Sequence, residues 1–322
     1  MKRLLPLLLI LASPAHAFDL QGHRGARGLA PENTLPAFAT ALRLGVTTLE
    51  FDLAMTKDGV LVVHHDPTLN PNIARGPDGQ YITTRTPLRD LTLDEVKRYD
   101  VGRLKADSGY GKTHPEQKPV DGTRIPTLSE VVAFVERAGA KDVRFNIETK
   151  LSPTTDAETA DPATFARAIA DAIRNAGLTE RATVQSFDWR TLKILRELAP
   201  EIRRVCLTVE APTFDTVQRG KPGASPWLAG LDIDDFDHSV PKLAHAAGCA
   251  VWSPNYREVT GDSIAAAKVL GIQVIPWTVN DRSEMARLID LGVDGIISDY
   301  PDRLRGVMAE KSLPLPPPFA VD

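Results

Sequence analysis

The chain has only two cysteines in 322 residues, no basic stripe, no Gly-x-Gly-x-x-Gly turn and, past its first residues, no apolar run long enough to span a bilayer. Each absence removes a class. Without a basic stripe, at a formal charge of −4 from 38 basic and 42 acidic residues, nucleic acid is not the expected partner. Without a glycine-rich turn after the first strand, a dinucleotide-binding sheet loses support. Without a further apolar run, no stable membrane association is expected. Cys206 and Cys249 both sit among apolar neighbours and read as buried thiols. An oxidising compartment would permit a bridge, but spacing does not supply its geometry.

What is present begins with an export signal. Lys2 and Arg3 give a basic start, residues 4–12 an apolar core, and Ala15-His16-Ala17 a small-x-small cleavage site. No cysteine follows that core, which argues against a lipid anchor. Segment 1–17 is therefore expected to leave, and the mature chain to be exported, most simply to a bacterial periplasm. Roughly 300 residues can bury one large core.

The remaining sequence alternates strand and helix. Strand-like runs fall at 20–22, 48–53, 60–64, 143–148, 183–186, 204–209, 250–253, 273–278 and 295–298; several are short and rich in Val and Ile. Helical spacing appears at 34–44, 128–138, 162–175, 189–198, 263–270 and 283–291. Seven or eight βα repeats predict a parallel sheet, and closure into a TIM-type (β/α)8 barrel over 18–310 explains the count best. Residues 70–127, after the third strand, read as a long insertion at the barrel mouth with one short helical candidate at 93–99. Segment 211–240 reads as a second irregular excursion, and 311–322 as a loose Pro-rich tail.

Strand ends converge on one mouth of such a barrel, and several carry ionisable residues. His23 and Arg24 follow the first strand. Glu50 and Asp52 are two apart on the second, so both face one way, with Phe51 and Leu53 facing the other. Glu148 and Lys150 again share a face, as a third carboxylate and a cation or as a salt-bridged pair. Buried side by side, Glu50 and Asp52 are costly without a cation, either a divalent ion or basic side chains in an ion pair. With no cysteine or paired-histidine ligand motif, a hard divalent ion fits better than zinc. His64 and His65 point to opposite faces of a strand; His65 is taken as the mouth residue and His64 as core. Two histidines titrating near neutrality can take and return a proton, and Arg24 can fork onto a phosphate oxygen. Asn33 or Thr34 caps a helix, and Glu32 stands open between a helix-start role and a bond to a site residue. Gln185 and Trp277 end later strands; Trp277 is either a wall for a small alcohol or plain core. The run Asp294 to Pro301 reads as structural, and His114, His238 and His245 as surface residues.

The ordered set His23-Arg24-Gly25, Pro31-Glu32-Asn33-Thr34, Glu50-Phe51-Asp52, His65-Asp66, Ile125-Pro126-Thr127-Leu128, Asn146-Ile147-Glu148-Thr149-Lys150, Trp277-Thr278-Val279-Asn280 and Gly292-Val293-Asp294-Gly295 resembles the glycerophosphodiester phosphodiesterase family. The resemblance implies a TIM-type barrel and hydrolysis of glycerophosphodiesters to glycerol 3-phosphate and an alcohol. By motif match it makes His23 and His65 the acid/base pair, with Arg24 beside them. It makes Glu50, Asp52 and Glu148 the ligands of one divalent cation, Ca2+ ahead of Mg2+. Arg24, Lys150, Gln185 and Trp277 become the substrate-facing residues. One departure stands out: the family often continues its His-Asp motif as Leu-x-Arg-Thr, whereas Leu69 here precedes Asn70-Pro71-Asn72, with Arg75 displaced. Two rivals remain. A phospholipase acting on intact membrane lipid would surround the mouth with apolar loops, and the insertion is mostly polar. A phosphodiester-binding protein without turnover would not need both histidines.

Overall fold

The computed structural model describes residues 17–321; the export signal read at 1–17 therefore lies outside the described residues, all but Ala17. In chain order the strands are β1 (Asp19–Gly22), β2 (Thr48–Met55), β3 (Leu61–Val63), β4 (Arg144–Thr149), β5 (Ala182–Ser186), β6 (Arg203–Thr208), the two-residue pair β7 (Glu210–Ala211) and β8 (Phe214–Asp215), β9 (Val251–Pro254), β10 (Gln273–Val274) and β11 (Gly295–Ser298). The helices are α1 (Leu35–Leu44), α2 (Leu93–Val96), α3 (Gly109–Lys112), α4 (Leu128–Arg137), α5 (Pro162–Asn175), α6 (Trp189–Leu198), α7 (Val240–Ala246), α8 (Gly261–Val269), α9 (Arg282–Leu291) and α10 (Pro301–Glu310).

Eight strands run parallel in the order β10-β9-β6-β5-β4-β2-β1-β11. Backbone bonds from Asp294 N–H to the Val274 carbonyl (2.9 Å) and from Ile297 N–H to the Pro276 carbonyl (3.0 Å) bring the two ends of that path together. The expected barrel is thus present, with helices around it and the long insertion after β3. Strand alternation sorts β2. Phe51 packs outward, edge to face, between Phe38 of α1 and Phe145 of β4, at centroid distances of 5.5 and 6.3 Å. Glu50 and Asp52 are turned inward by the same alternation.

Five details depart from the expectations. The strand β3 is not a stave of the barrel: it pairs antiparallel with β2, Leu53 opposite Val63 and Met55 opposite Leu61. The Thr56–Val60 turn, closed by Thr56 N–H to the Val60 carbonyl at 3.0 Å, is far too short for the crossover that a parallel strand needs. The strand expected at 273–278 is regular only over Gln273–Val274, with Pro276 two residues on. The helices α7 and α10 were not anticipated, although each carries a proline in its first turn. The C-terminal tail is not loose. Leu313, Phe319 and Val321 pack on the main core, and Phe319 N–H reaches the Leu42 carbonyl at 3.0 Å. Nor are the cysteines free thiols: Cys206 of β6 and Cys249, just before β9, form a disulfide with their Cα atoms 5.8 Å apart. Parallel pairing of β6 with β9 places them side by side, which sequence separation could not reveal.

Candidate active site

Chain direction reverses sharply after β1, and two glycines permit it. A Cβ on Gly22 would meet the Gly25 carbonyl oxygen at 2.0 Å; one on Gly25, at φ +84°, would meet the Ala37 backbone at 2.8 Å. His23 and Arg24 are presented by this turn, and Arg24 itself takes a left-handed φ of +50°. Its N–H donates to Glu50 Oε2 at 2.8 Å, and its guanidinium donates to Glu32 Oε1 at 2.7 Å and lies 3.4 Å from Asp52 Oδ2. Glu32 is thereby settled as a partner of a site residue, while Thr34 caps α1. Asn33, also left-handed at φ +56°, donates its amide to Asp52 Oδ2 at 2.8 Å.

Register explains the carboxylate cluster. Asp52 of β2 lies opposite Glu148 of β4, and Glu148 lies opposite Gln185 of β5. One oxygen from each of Glu50, Asp52 and Glu148 falls within 4.8 Å of the others. Asp52 Oδ1 is buried without a hydrogen-bond partner. Three buried oxygen donors, one of them without a hydrogen bond though 3.7 Å from Lys150 Nζ, fit a hard divalent cation and not a soft one.

Charges at the site are set by burial and by each other. Burial, then Asp52 and Glu148, pushes the Glu50 carboxyl well above the usual range. Burial also raises Glu148, to about 7, against the pull of Lys150. Asp52 goes the other way. Against burial, the neighbouring His65, Lys150 and Arg24 and the Asn33 amide hold it far below the ordinary value. His23 is lowered to about 4, first by burial and then by Arg27. Burial, Arg24 and Lys150 take His65 well below its usual value. Both imidazoles are therefore neutral at pH 7 in the absence of ligand.

A cavity of about 180 Å3 opens on this cluster, lined by His23, Arg24, Glu50, His65, Glu148, Lys150, Gln185 and Trp277 among others. Lys150 Nζ stands 2.7 Å from Glu148 Oε1 and 3.1 Å from His65 Nε2, and His65 Nδ1 meets Asp66 Oδ1 at 2.8 Å. His64 is buried, as its opposite facing requires. Trp277 forms part of the wall beside Phe187, at a centroid distance of 5.2 Å, and its indole N–H is held by the Ser253 carbonyl. The nine site residues named from sequence thus meet at one place, eight of them lining the cavity and Asp52 just behind its wall.

Four residues at the site were not foreseen: Asp299, Arg27, Tyr110 and His114. Asp299, read as structural, receives His23 Nδ1 at 2.5 Å, the Arg27 fork at 2.9 Å on each oxygen and the Asn280 amide at 2.7 Å. Against burial, Arg27 and His23 keep it well below the ordinary carboxylate range, so it is an anion holding the His23 ring. The insertion contributes Tyr110, whose hydroxyl donates to Glu32 and accepts from Arg24 and Arg27 at 3.3 Å. His114, expected at the surface, is only 7% exposed; it lies beside Tyr110 with Nε2 3.6 Å from Asp299. The only sequence signal for Asp299 was its place at the end of the last strand, the position that had marked the other site residues.

Known proteins resemble this chain in sequence and in fold. The profile of the glycerophosphoryl diester phosphodiesterase family matches residues 23–303. A Bacillus subtilis glycerophosphodiester phosphodiesterase is 31% identical over 287 residues, covering 87% of this chain and 83% of that one. A solved structure from Silicibacter pomeroyi is 32% identical, with a TM-score of 0.82 over 94% of this chain and 96% of its own. An Oleispira antarctica phosphodiesterase, solved with its product sn-glycerol-3-phosphate, shares the fold at 22% identity and a TM-score of 0.64, over 90% and 96% of the two chains. With a family profile spanning most of its length, the chain belongs to the glycerophosphoryl diester phosphodiesterase family and is a phosphoric diester hydrolase.

Proposed function

We propose that the chain cleaves glycerophosphodiesters into glycerol 3-phosphate and an alcohol, using one divalent cation and the proton chemistry of His23 and His65. The observation that carries this is the cavity lined by two histidines, Glu50, Glu148 and the cationic Arg24, Arg27 and Lys150, with Asp52 completing the carboxylate cluster behind it. The product bound by the Oleispira relative agrees with the same bond being cut. Glu50, Asp52 and Glu148 would hold the cation, Ca2+ ahead of Mg2+, and when bound it supplies neutralisation of the phosphate charge.

The chain's own groups do the rest. Arg24 and Lys150 stand beside the carboxylates and attract the phosphate. Anionic Asp299 accepts the Nδ1 proton of His23, which leaves Nε2 unprotonated toward the cavity and suits it to take the proton of the attacking oxygen. His65 complements it. An anionic phosphate beside the ring raises its pKa, so that it gains a proton and delivers it to the leaving alkoxide. Trp277 and Phe187 give the small alcohol a dry wall. Export to a periplasm belongs to the same proposal, supported by the signal pattern at 1–17 and by a disulfide that reducing cytoplasm disfavours.

Incubation of the mature protein with glycerophosphocholine, with Ca2+ or Mg2+ and separately with EDTA, tests the reading. Metal-dependent release of choline and glycerol 3-phosphate is expected. Release of phosphocholine would put the scissile bond on the other side of phosphorus, and undiminished turnover in EDTA would remove the cation.

A further inference from the structure

Beneath the carboxylates, the barrel interior holds a line of amides. Asp19, at the start of β1, accepts from Gln21 Nε2 at 2.9 Å. Gln21 Oε1 accepts from Asn146 Nδ2 at 2.9 Å, and the same nitrogen donates to Gln185 Oε1, also at 2.9 Å. Gln185 Nε2 then donates to Glu50 Oε1 at 2.7 Å. Asn146 Oδ1 accepts from Thr183 Oγ1 at 2.9 Å. Gln21, Asn146, Gln185 and Glu50 are each no more than 3% exposed, so water does not compete for these bonds.

The direction of every bond in this line follows from its ends. Asp19 is an acceptor, held by Arg144 at 2.8 Å and by the Thr47 and Thr48 hydroxyls. Glu50, in its ionised form, is an acceptor as well. A chain of amides between two acceptors must reverse direction once, and only a group that donates twice can sit at the reversal. Asn146 is that group. Its two N–H bonds occupy the Oε1 atoms of both glutamines and so turn both NH2 groups outward. Were Gln185 to flip, its oxygen would face Glu50 and its NH2 would face that of Asn146, leaving buried groups unsatisfied at both ends.

We propose that Gln185 and Asn146 are positioning residues for the cation site: Asn146 fixes the amide of Gln185, and Gln185 fixes the orientation of the Glu50 carboxylate. This rests on the reading of Glu50 as a cation ligand, and it moves Gln185 from the substrate to the ligand's support. With Arg24 N–H on Oε2 and Gln185 on Oε1, each Glu50 oxygen carries one fixed donor.

The test is calorimetric titration of the metal-free protein with Ca2+ and Mg2+, for the wild type, Asn146→Asp, Gln185→Met and Gln21→Met. Asn146→Asp keeps the shape and removes both donors; Gln185→Met removes the contact to Glu50 itself. Loss of such a supporting contact lowers metal affinity about 10–100-fold. Both variants should show that loss, with activity recovering as metal is raised to saturation, whereas Gln21→Met, beyond the reversal point, should bind metal within a few-fold of wild type. A merely structural role would lower the melting temperature of the metal-free protein and would not be rescued by metal. Unchanged metal affinity in Gln185→Met overturns the proposal, as does a loss of activity in Asn146→Asp that saturating metal does not restore. If the wild type binds neither ion, the reading of Glu50 as a ligand fails instead.

Discussion

His23 shows how one contact gives an ordinary residue its chemistry. The ring is buried beside Arg27, which alone would leave a neutral imidazole of undefined tautomer; Asp299 defines the tautomer by taking Nδ1–H. Replacing His23 or His65 by Ala should cost roughly 10²–10⁴ in kcat, the usual share of acid–base chemistry. Asp299→Asn should lower kcat to a comparable extent while leaving metal affinity unchanged, because an amide that donates to Nδ1 forces the proton onto Nε2. Steady-state kinetics beside calorimetry separates the two effects; weakened metal binding in Asp299→Asn would contradict the assignment. The cation ligands make a second prediction. Glu50 stands well above the usual carboxylate range and Glu148 near 7, so part of the metal-free population carries protons there at neutral pH. Binding a cation must expel them, and affinity should rise as pH climbs through about 7. Titration in two buffers of different ionisation enthalpy counts the protons released. That Glu50 and Asp52 share a face was legible in the sequence, because side chains two apart on a strand point the same way. Asp299 was not, since 276 residues separate it from His23 and only closure of the barrel joins them.

The element that shapes the site most is the turn behind β1. Its close approaches leave no room for side chains at Gly22 and Gly25. Gly25→Ala combines a left-handed backbone with contact on α1, and should destabilise by roughly 1–3 kcal/mol. Urea denaturation would register this, and a variant as stable as wild type would show that the turn has slack. The β2–β3 hairpin carries His65 to the mouth by a different route. Its tight turn folds β3 back along β2, so His65 reaches the cavity from outside the ring of staves. Sequence placed both histidines at strand ends correctly, but an antiparallel hairpin strand and a parallel stave look alike when each is a short run of Val and Leu. The missed α7 has a similar cause: it spans only seven residues, too few for periodicity to stand out.

Across the whole molecule, long-range ties complete the barrel. The Cys206–Cys249 bridge closes a loop of 43 residues, for which roughly 2–4 kcal/mol of stabilisation is typical. The Cys206→Ala, Cys249→Ala double variant should unfold at correspondingly lower urea, with activity at low urea intact. A separate pH effect arises near β7 and β8. Burial, with Glu210 and Asp215 adding to it, raises the Glu258 carboxyl to about 7. Its folded pKa lies above its unfolded one, so its contribution is complete at acid pH and is lost as pH rises toward about 7. Glu258→Gln keeps an acceptor for the Glu210 N–H and should flatten that part of the stability profile. An unchanged slope between pH 5 and 7 in the variant would assign it to another group.

Local order sufficed for the repeat of strand and helix, the inward face of Glu50 and Asp52, and the choice of His65 over His64. Each depends on neighbours within a few residues, where backbone geometry dictates which side chains share a side. The disulfide, the Asp299–His23 pair, the docking of Tyr110 on two arginines and the amide line beneath Glu50 were decided only on folding. These contacts join residues far apart in the chain, and their distances exist only once the strands have taken their register around the barrel.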